Sequence, residues 1–291
     1  MAEDRLVPKR IAISIHPDYK IDGEEVRPLK QILTRLGAKD LFVASVHNPS
    51  LKQALLDDKF DVVIALGGDG TMLRTARLCA PADTPVMGIN LGHFGFLMAI
   101  QRNEWDELLP RFMHGDYRIE ERMMLEATHM RNGKKLDSWH VLNEVVVCRG
   151  QYVRPIEVSA AIEEYEVARY LADGLIAATP TGSTAYALAV GGPILPPTLR
   201  NFLIIPVAPH RSLERAIILP EHSVVTVTVH TTHDVVLSVD GQAPVSMESG
   251  DQVTVSHNQH VVKFIQFHDP GTFYHKLLSS MGSDSFSASK A

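Results

Sequence analysis

Four short stretches of this 291-residue chain bring together residue types that could do chemistry. Gly67-Gly68-Asp69-Gly70-Thr71 lies between an apolar run and a helix-like stretch. Glycines at such a junction let backbone amides close on an anion, and a helix start adds a favourable dipole. The pentapeptide is neither the GxxxxGK[ST] phosphate loop nor the dinucleotide GxGxxG pattern. A tight turn with Asp69 as helix N-cap accounts for it equally well. Arg74, the nearest cation in sequence, either assists an anionic ligand or sits on a solvated helix face. In Asn90 to Leu97 (NLGHFGFL) two glycines flanked by aromatics permit close approach of a flat ligand, although Phe94 and Phe96 would also serve as core or interdomain packing.

Asn143-Glu144 interrupts the apolar run Val141 to Val147. Neighbours on a strand face opposite sides, so one of the two could point into a core and need a partner. An amide beside a carboxylate can grip a ribose diol, while a solvated edge pair is the plainer alternative. The richest stretch is Asp173 to Tyr186 (DGLIAATPTGSTAY), an apolar strand running into a hydroxyl-rich turn. A helix, Ala185 to Val190, follows and is stopped by Gly191-Gly192-Pro193. Thr179, Thr181, Ser183 and Thr184 offer donors for phosphate or ribose oxygens, and Tyr186 offers a stacking face. A helix cap would need one hydroxyl, not four. Asp240-Gly241-Gln242 reads as an ordinary hairpin turn. The 14 histidines fall in no paired metal-ligand spacing.

The elements that must hold these stretches change in kind along the chain. Arg10 to His16, Leu41 to Val46, Asp61 to Leu66 and Val86 to Asn90 read as strands. They alternate with helices over Glu24 to Leu36, closed by Gly37, about Gly70 to Ala80, and Glu104 to His114. That is a βαβ pattern, in which ligands sit at strand ends. Beyond it come β-like runs at short intervals: Val141 to Val147, Arg154 to Ile162, Gly174 to Ala178, Phe202 to Val207, Val224 to His230, Val235 to Val239 and Gln252 to His257. Such spacing predicts an antiparallel sandwich or pair of sheets.

Length alone points to two domains. With 28 Lys and Arg against 34 Asp and Glu, the net charge of −6 has the wrong sign for a nucleic-acid or membrane-surface binder. Two cysteines without a CxxC pair argue against a disulfide framework or cysteine zinc site. The start of the chain carries no signal-peptide pattern, and the longest uncharged run, Gly174 to Leu199, holds four Gly and four Pro, unlike a membrane helix. A cytoplasmic protein in a reducing compartment is expected.

Taken in order, GGDGT, NxGxxGFL, NE within a strand and DGLIxxTPTGSTAY followed by GGP resemble NAD kinases over roughly residues 10 to 270. GGDGT is shared with diacylglycerol and sphingosine kinases and phosphofructokinases, whereas DGLIAATPTGSTAYALAVGGP is specific to NAD kinases. The resemblance implies an α/β domain over 1–118, a β-rich, sandwich-like domain over 119–278, a site in the cleft between them and a disordered tail over 279–291. Phe264 to Phe267 could return to the first domain. Asp69 matches the general base on the adenosine ribose 2′-hydroxyl, with Gly70 in the same contact and Gly67, Gly68, Thr71 and Arg74 around the phosphoryl donor. Asn143 and Glu144 match the pair that holds the NAD ribose, and Asp173 the acid at the nicotinamide side. Thr184, Ala185, Tyr186, Ala187, Leu188 and Ala189 match the dinucleotide-binding helix start. Gln242 and, by looser alignment, Arg154 and Leu171 are further NAD contacts, and Phe96 is an aromatic near the site. Ala187 and Ala189 stand where relatives often have serine, and Phe94 replaces a leucine. The implied partners are NAD, ATP or another phosphoryl donor, Mg²⁺ held through the donor phosphates without a protein ligand, and a second copy in a homo-oligomer. A GGDGT-type lipid kinase or a catalytically silent dinucleotide-binding regulator is the alternative. The first has no use for TPTGSTAY, and the second none for a base at Asp69.

Overall fold

The structure, a computed structural model, describes residues 7–57, 60–92, 95–210, 214–275 and 277. Phe94 and the 279–291 tail therefore lie outside the described residues. The chain forms two compact units, Met1–Glu121 with Val262–Ala291, and Arg122–Val261.

The first unit is α/β. It runs β1 (Arg10–Ile15), α1 (Arg27–Arg35), β2 (Asp40–Ser45), α2 (Pro49–Asp57), β3 (Val62–Gly67), α3 (Asp69–Cys79), β4 (Val86–Asn90), β5 (Ile100–Gln101) and α4 (Trp105–Met113). The strands pair in parallel in the order β2-β1-β3-β4, and every residue of β3 and β4 is buried. Helices on both faces explain why those strands read as unbroken apolar runs. Helix α1 begins later than its apolar period suggests because a turn, Val26 N to Gly23 O, precedes it and Pro28 sets its first turn; Gly37 at φ 103° ends it. Ile13, Ile64, Ile89 and Phe112 pack in the core together with Ile265 from the far end of the chain.

The second unit is β-rich. It comprises β6 (Arg118–Arg131), β7 (Lys134–Val141), β8 (Glu144–Arg149), β9 (Ile156–Ile162), β10 (Tyr165–Ala172), β11 (Gly174–Ala178), a short helix α5 (Tyr186–Ala189), β12 (Asn201–Val207), β13 (Ile217–Pro220), β14 (Val225–Val229), β15 (Val235–Val239), β16 (Val245–Met247) and β17 (Gln252–Gln266). Antiparallel strands run β13-β12-β11-β8-β15-β16 in one sheet, and β10-β9-β14-β17 in the other, where β6 pairs with β17 and β7. Alternate residues of both sheets, such as Val145, Leu175 and Phe202 against Val158, Tyr170 and Val227, share one core. The opposite face of the first sheet is covered by Ala187 and Leu195, which is why β11 is buried throughout. The last residues of β17, from Val262, belong to the first unit, where Phe264 pairs in parallel with Val86.

Three expected elements differ. The run Val141 to Val147 breaks at Leu142-Asn143, the expected helix Ala185 to Val190 is the four-residue α5 after a 3-10 turn, and the strand from Gln252 extends to Gln266.

Candidate active site

In the first unit the GGDGT turn and the NLGHFGFL segment are joined by one carboxylate. Gly67 pairs with Asn90, so the ends of β3 and β4 lie side by side. Helix α3 starts after Gly68, and Asp69 is its first residue rather than its cap. The Asp69 side chain turns away from the helix instead: Phe96 N donates to Oδ2 at 2.9 Å and Leu97 N to Oδ1 at 3.1 Å. The approach is close enough that a Cβ on Gly95 would come within 2.4 Å of Oδ1. Glycine at 95 is thus fixed by packing. Glycines 68 and 70 are not, since both are exposed and a Cβ at either would meet nothing within 4 Å. Open space beside two amides at an 11-residue helix start is what an anion requires. Gly67, in contrast, is pressed on Thr71, whose buried Oγ1 has no hydrogen-bond partner among the described residues. Arg74 is partnered by His47, NH1 to Nε2 at 2.5 Å.

In the second unit Asn143 and Glu144 stand where β7 gives way to β8. Glu144 is buried and Asn143 partly so, and Asn143 Oδ1 and Glu144 Oε2 are buried acceptors that no hydrogen-bond donor among the described residues reaches. Burial, then the nearby Asp240 charge, pushes the Glu144 carboxyl up to about 7, against the opposing hydrogen bond from the Tyr186 backbone. Gly182 lies against Asn143, where a Cβ would come within 2.1 Å of the carbonyl oxygen. The hydroxyls of the TPTGST turn are mostly consumed in building it. Thr179 Oγ1 donates to Leu142 O at 2.5 Å, Ser183 Oγ to Pro180 O at 2.7 Å and Thr184 Oγ1 to Thr181 O at 3.1 Å. Thr181 Oγ1, of these four, is buried without a hydrogen-bond partner among the described residues.

Tyr186 is 43% exposed at the start of α5, while the next residue, Ala187, is buried in the core. Its phenol is pushed up by burial and by the charges of Cys148 and Asp173, with Arg149 opposing, which marks these groups as neighbours. Arg149 Nε lies 3.2 Å from Asp173 Oδ2, an ion pair that sequence reading missed. Gln242 closes the Asp240 hairpin through its backbone. Ala185, Leu188 and Ala189 complete the α5 segment, partly or fully open to solvent. Arg154 is exposed ahead of β9 and Leu171 is 48% exposed on the edge strand β10; neither makes a hydrogen bond or ion pair to Asn143, Glu144 or Asp173.

Comparison with known proteins bears on what these two clusters do. The model of the ATP-NAD kinase N-terminal domain matches residues 28–117, and that of the ATP-NAD kinase C-terminal domain residues 142–267. The chain belongs to the NAD kinase family. It is 43% identical to the NAD kinase of Heliobacterium modesticaldum over 237 residues, covering 81% of this chain and 83% of that one. It is 39% identical to the Chloroflexus aggregans NAD kinase over 273 residues, 94% of this chain and 98% of that one. An NAD kinase from Archaeoglobus fulgidus, solved in complex with ATP, superimposes with TM-score 0.72 at 25% identity over 93% of this chain and 99% of that one. Yeast NADH kinase, solved with NADH, shares the fold with TM-score 0.80 at 24% identity, over 98% and 90%. As a member of this family the chain is a phosphotransferase acting on NAD, and the lipid-kinase and silent-regulator alternatives fall away. Among the described residues no group of three or more His, Cys, Asp or Glu could hold a metal ion, and no helix is long and apolar enough to cross a membrane.

Proposed function

We propose a division of labour for NAD phosphorylation in which the second unit holds the dinucleotide and the first supplies the base and the donor cradle. The observation that carries it is the pair of buried, donorless acceptors, Asn143 Oδ1 and Glu144 Oε2. Buried acceptors left unmet cost free energy, and a ribose diol brings the two hydroxyl donors they lack. Tyr186 stacks on the dinucleotide, with Thr184, Ala185, Ala187, Leu188 and Ala189 forming the floor around it. Asp173, held by Arg149, faces the nicotinamide side, and Gln242, Arg154 and Leu171 add outer contacts.

Asp69 accepts the proton of the 2′-hydroxyl as that oxygen attacks the terminal phosphorus of ATP. The bond from phosphorus to the bridging oxygen breaks, and ADP leaves with the electron pair. The amides of Phe96 and Leu97 aim the carboxylate, while the exposed Gly68 and Gly70 admit the phosphates. Gly67, Thr71 and Arg74 shape the same turn, and Phe96 closes its side. A divalent cation would be held through the donor phosphates that the Gly68 and Gly70 turn admits, without a protein ligand, as suits an ion that takes few of them. When bound through those phosphates it neutralises the developing charge. We further infer a cytoplasmic homo-oligomer. A coupled assay with NAD, ATP and Mg²⁺, followed by detection of NADP, tests the whole reading. Turnover undiminished in EDTA would exclude the cation, and a Glu144→Gln variant with native KM for NAD would exclude the ribose clamp.

A further inference from the structure

The Asp240 hairpin does more than reverse the chain. Asp240 and Gly241 lie at φ 48° and 64°, and Gln242 N donates to Val239 O at 2.9 Å, which makes a tight turn of the type that suits Asp-Gly. Turning would be served as well by Asn. Yet the Asp240 side chain is only 6% exposed and reaches a segment nearly a hundred residues earlier in sequence. Its Oδ2 accepts from Leu142 N at 2.9 Å, and its Oδ1 from Asn143 N at 2.8 Å and Glu144 N at 3.0 Å. Asp240 N in turn donates to Glu144 O at 3.0 Å. Three successive amides can converge on one carboxylate only if the backbone bends. That bend is what interrupts the strand expected from the apolar run Val141 to Val147. Buried amides without an acceptor are costly, so the carboxylate selects the bend over a continued ladder.

We propose that Asp240 is a positioning residue for the dinucleotide, its carboxylate fixing the Leu142–Glu144 bend that points Asn143 Oδ1 and Glu144 Oε2 at the ribose hydroxyls. The inference rests on the ribose-clamp reading of Asn143 and Glu144. Charge carries a second consequence of the same contact. Two groups act on Glu144 besides burial: the Asp240 carboxylate, which raises its carboxyl toward neutrality, and the Tyr186 amide, which opposes that. Asp240 thus sets both where Glu144 points and the pH at which it becomes an acceptor.

Steady-state rates from pH 5.5 to 9 on the full chain, with NAD and ATP varied separately, test this. Asp240→Asn should raise KM for NAD roughly ten-fold while KM for ATP stays within about two-fold. Its acid limb in kcat/KM for NAD should move to lower pH, because the neighbouring charge is gone. Asp240→Glu keeps the charge but lengthens the reach, so KM for NAD should rise while the limb stays in place. It carries the test even where Asp240→Asn does not fold. A folded variant of either kind with lowered Tm but native KM for NAD and a native limb would overturn the proposal. Glu144→Gln is the control for the premise. If it leaves KM for NAD unchanged, the clamp reading and this proposal fall together; if it raises KM while the Asp240 variants do not, only the proposal falls.

Discussion

At Asp69 the carboxylate proposed as the base is also the group that grips the amides of Phe96 and Leu97. Had it been a helix cap, Asn would replace it at little loss. An Asn here can accept on one oxygen only and turns its NH₂ toward the other amide. Asp69→Asn is therefore expected to cost about 1–3 kcal/mol of stability, an unmet buried donor, besides a loss of roughly 10²–10⁴ in kcat from the missing base. Thermal unfolding, NAD titration and rates on this variant separate the two effects, and near-native kcat in a folded protein would refute the base. Glu144 makes a prediction of opposite kind. Its folded carboxyl, at about 7, lies above the ordinary value of about 4.3, so the native state binds more protons than the unfolded chain between those limits. The stability it contributes is present below pH ~4.3 and lost as pH rises through about 7, by at most about 4 kcal/mol. Glu144→Gln should remove that slope, gaining on the native protein at pH 8 relative to pH 5 in denaturant titrations without NAD. Parallel pH curves for the two proteins would sink the assignment.

At the scale of elements, the glycines divide into those that packing fixes and those that it leaves unexplained. Gly182→Ala would drive a Cβ into the Asn143 carbonyl, so it should destabilise the second unit and raise KM for NAD. Gly68→Ala meets no protein atom, so it should fold normally and raise KM for ATP instead. Substrate-by-substrate KM values with melting curves check the contrast, which fails if Gly68→Ala leaves KM for ATP untouched. The same distinction governs what could be read in advance. Strands β4, β11 and β15 are apolar runs whose ends coincide with Gly, Asn or Asp, and their limits follow from residue type. Strand β7 (KKLDSWHV) is exposed along its first half and is held by backbone pairing with β6, so no periodicity betrays it. Edge strand β10 mixes Glu166 and Arg169 with apolar residues for a similar reason. The candidate site was legible where a polar pair interrupts an apolar run, as at Asn143-Glu144, whose acceptors the structure leaves buried and unmet among the described residues. It was opaque wherever a side chain acts on remote backbone: Asp69 resembled a cap, Asp240 a plain turn residue, and Thr179 and Ser183 ligand donors, although they bind their own loop.

For the whole molecule, the net charge of −6 leaves an anionic substrate and an anionic donor to be held by amides, a cation and a few side chains rather than by a general field. The core of the first unit has an unusual source. Ile265 is fully buried there among residues from the first 113 positions, and Phe264 extends the sheet beside β4. Ile265→Ala should cost about 2–5 kcal/mol. The loss should fall on the first unit, seen as faster amide exchange in β3 and β4 with β11 and β15 protected. Uniform loss in both units would contradict that placement. The interleaving also bears on how the protein is made. A ribosome delivers β1 to α4 first, then all of the second unit, and only afterwards the residues that complete the sheet next to Val86. The α/β unit must wait through about 140 residues of synthesis, several seconds or more at ordinary elongation rates, with the Val86 end of β4 uncovered on the side away from β3. The β-rich unit, whole within its own stretch of chain, can finish while its host is still open, so a stalled or shortened product would strand the half that was begun first.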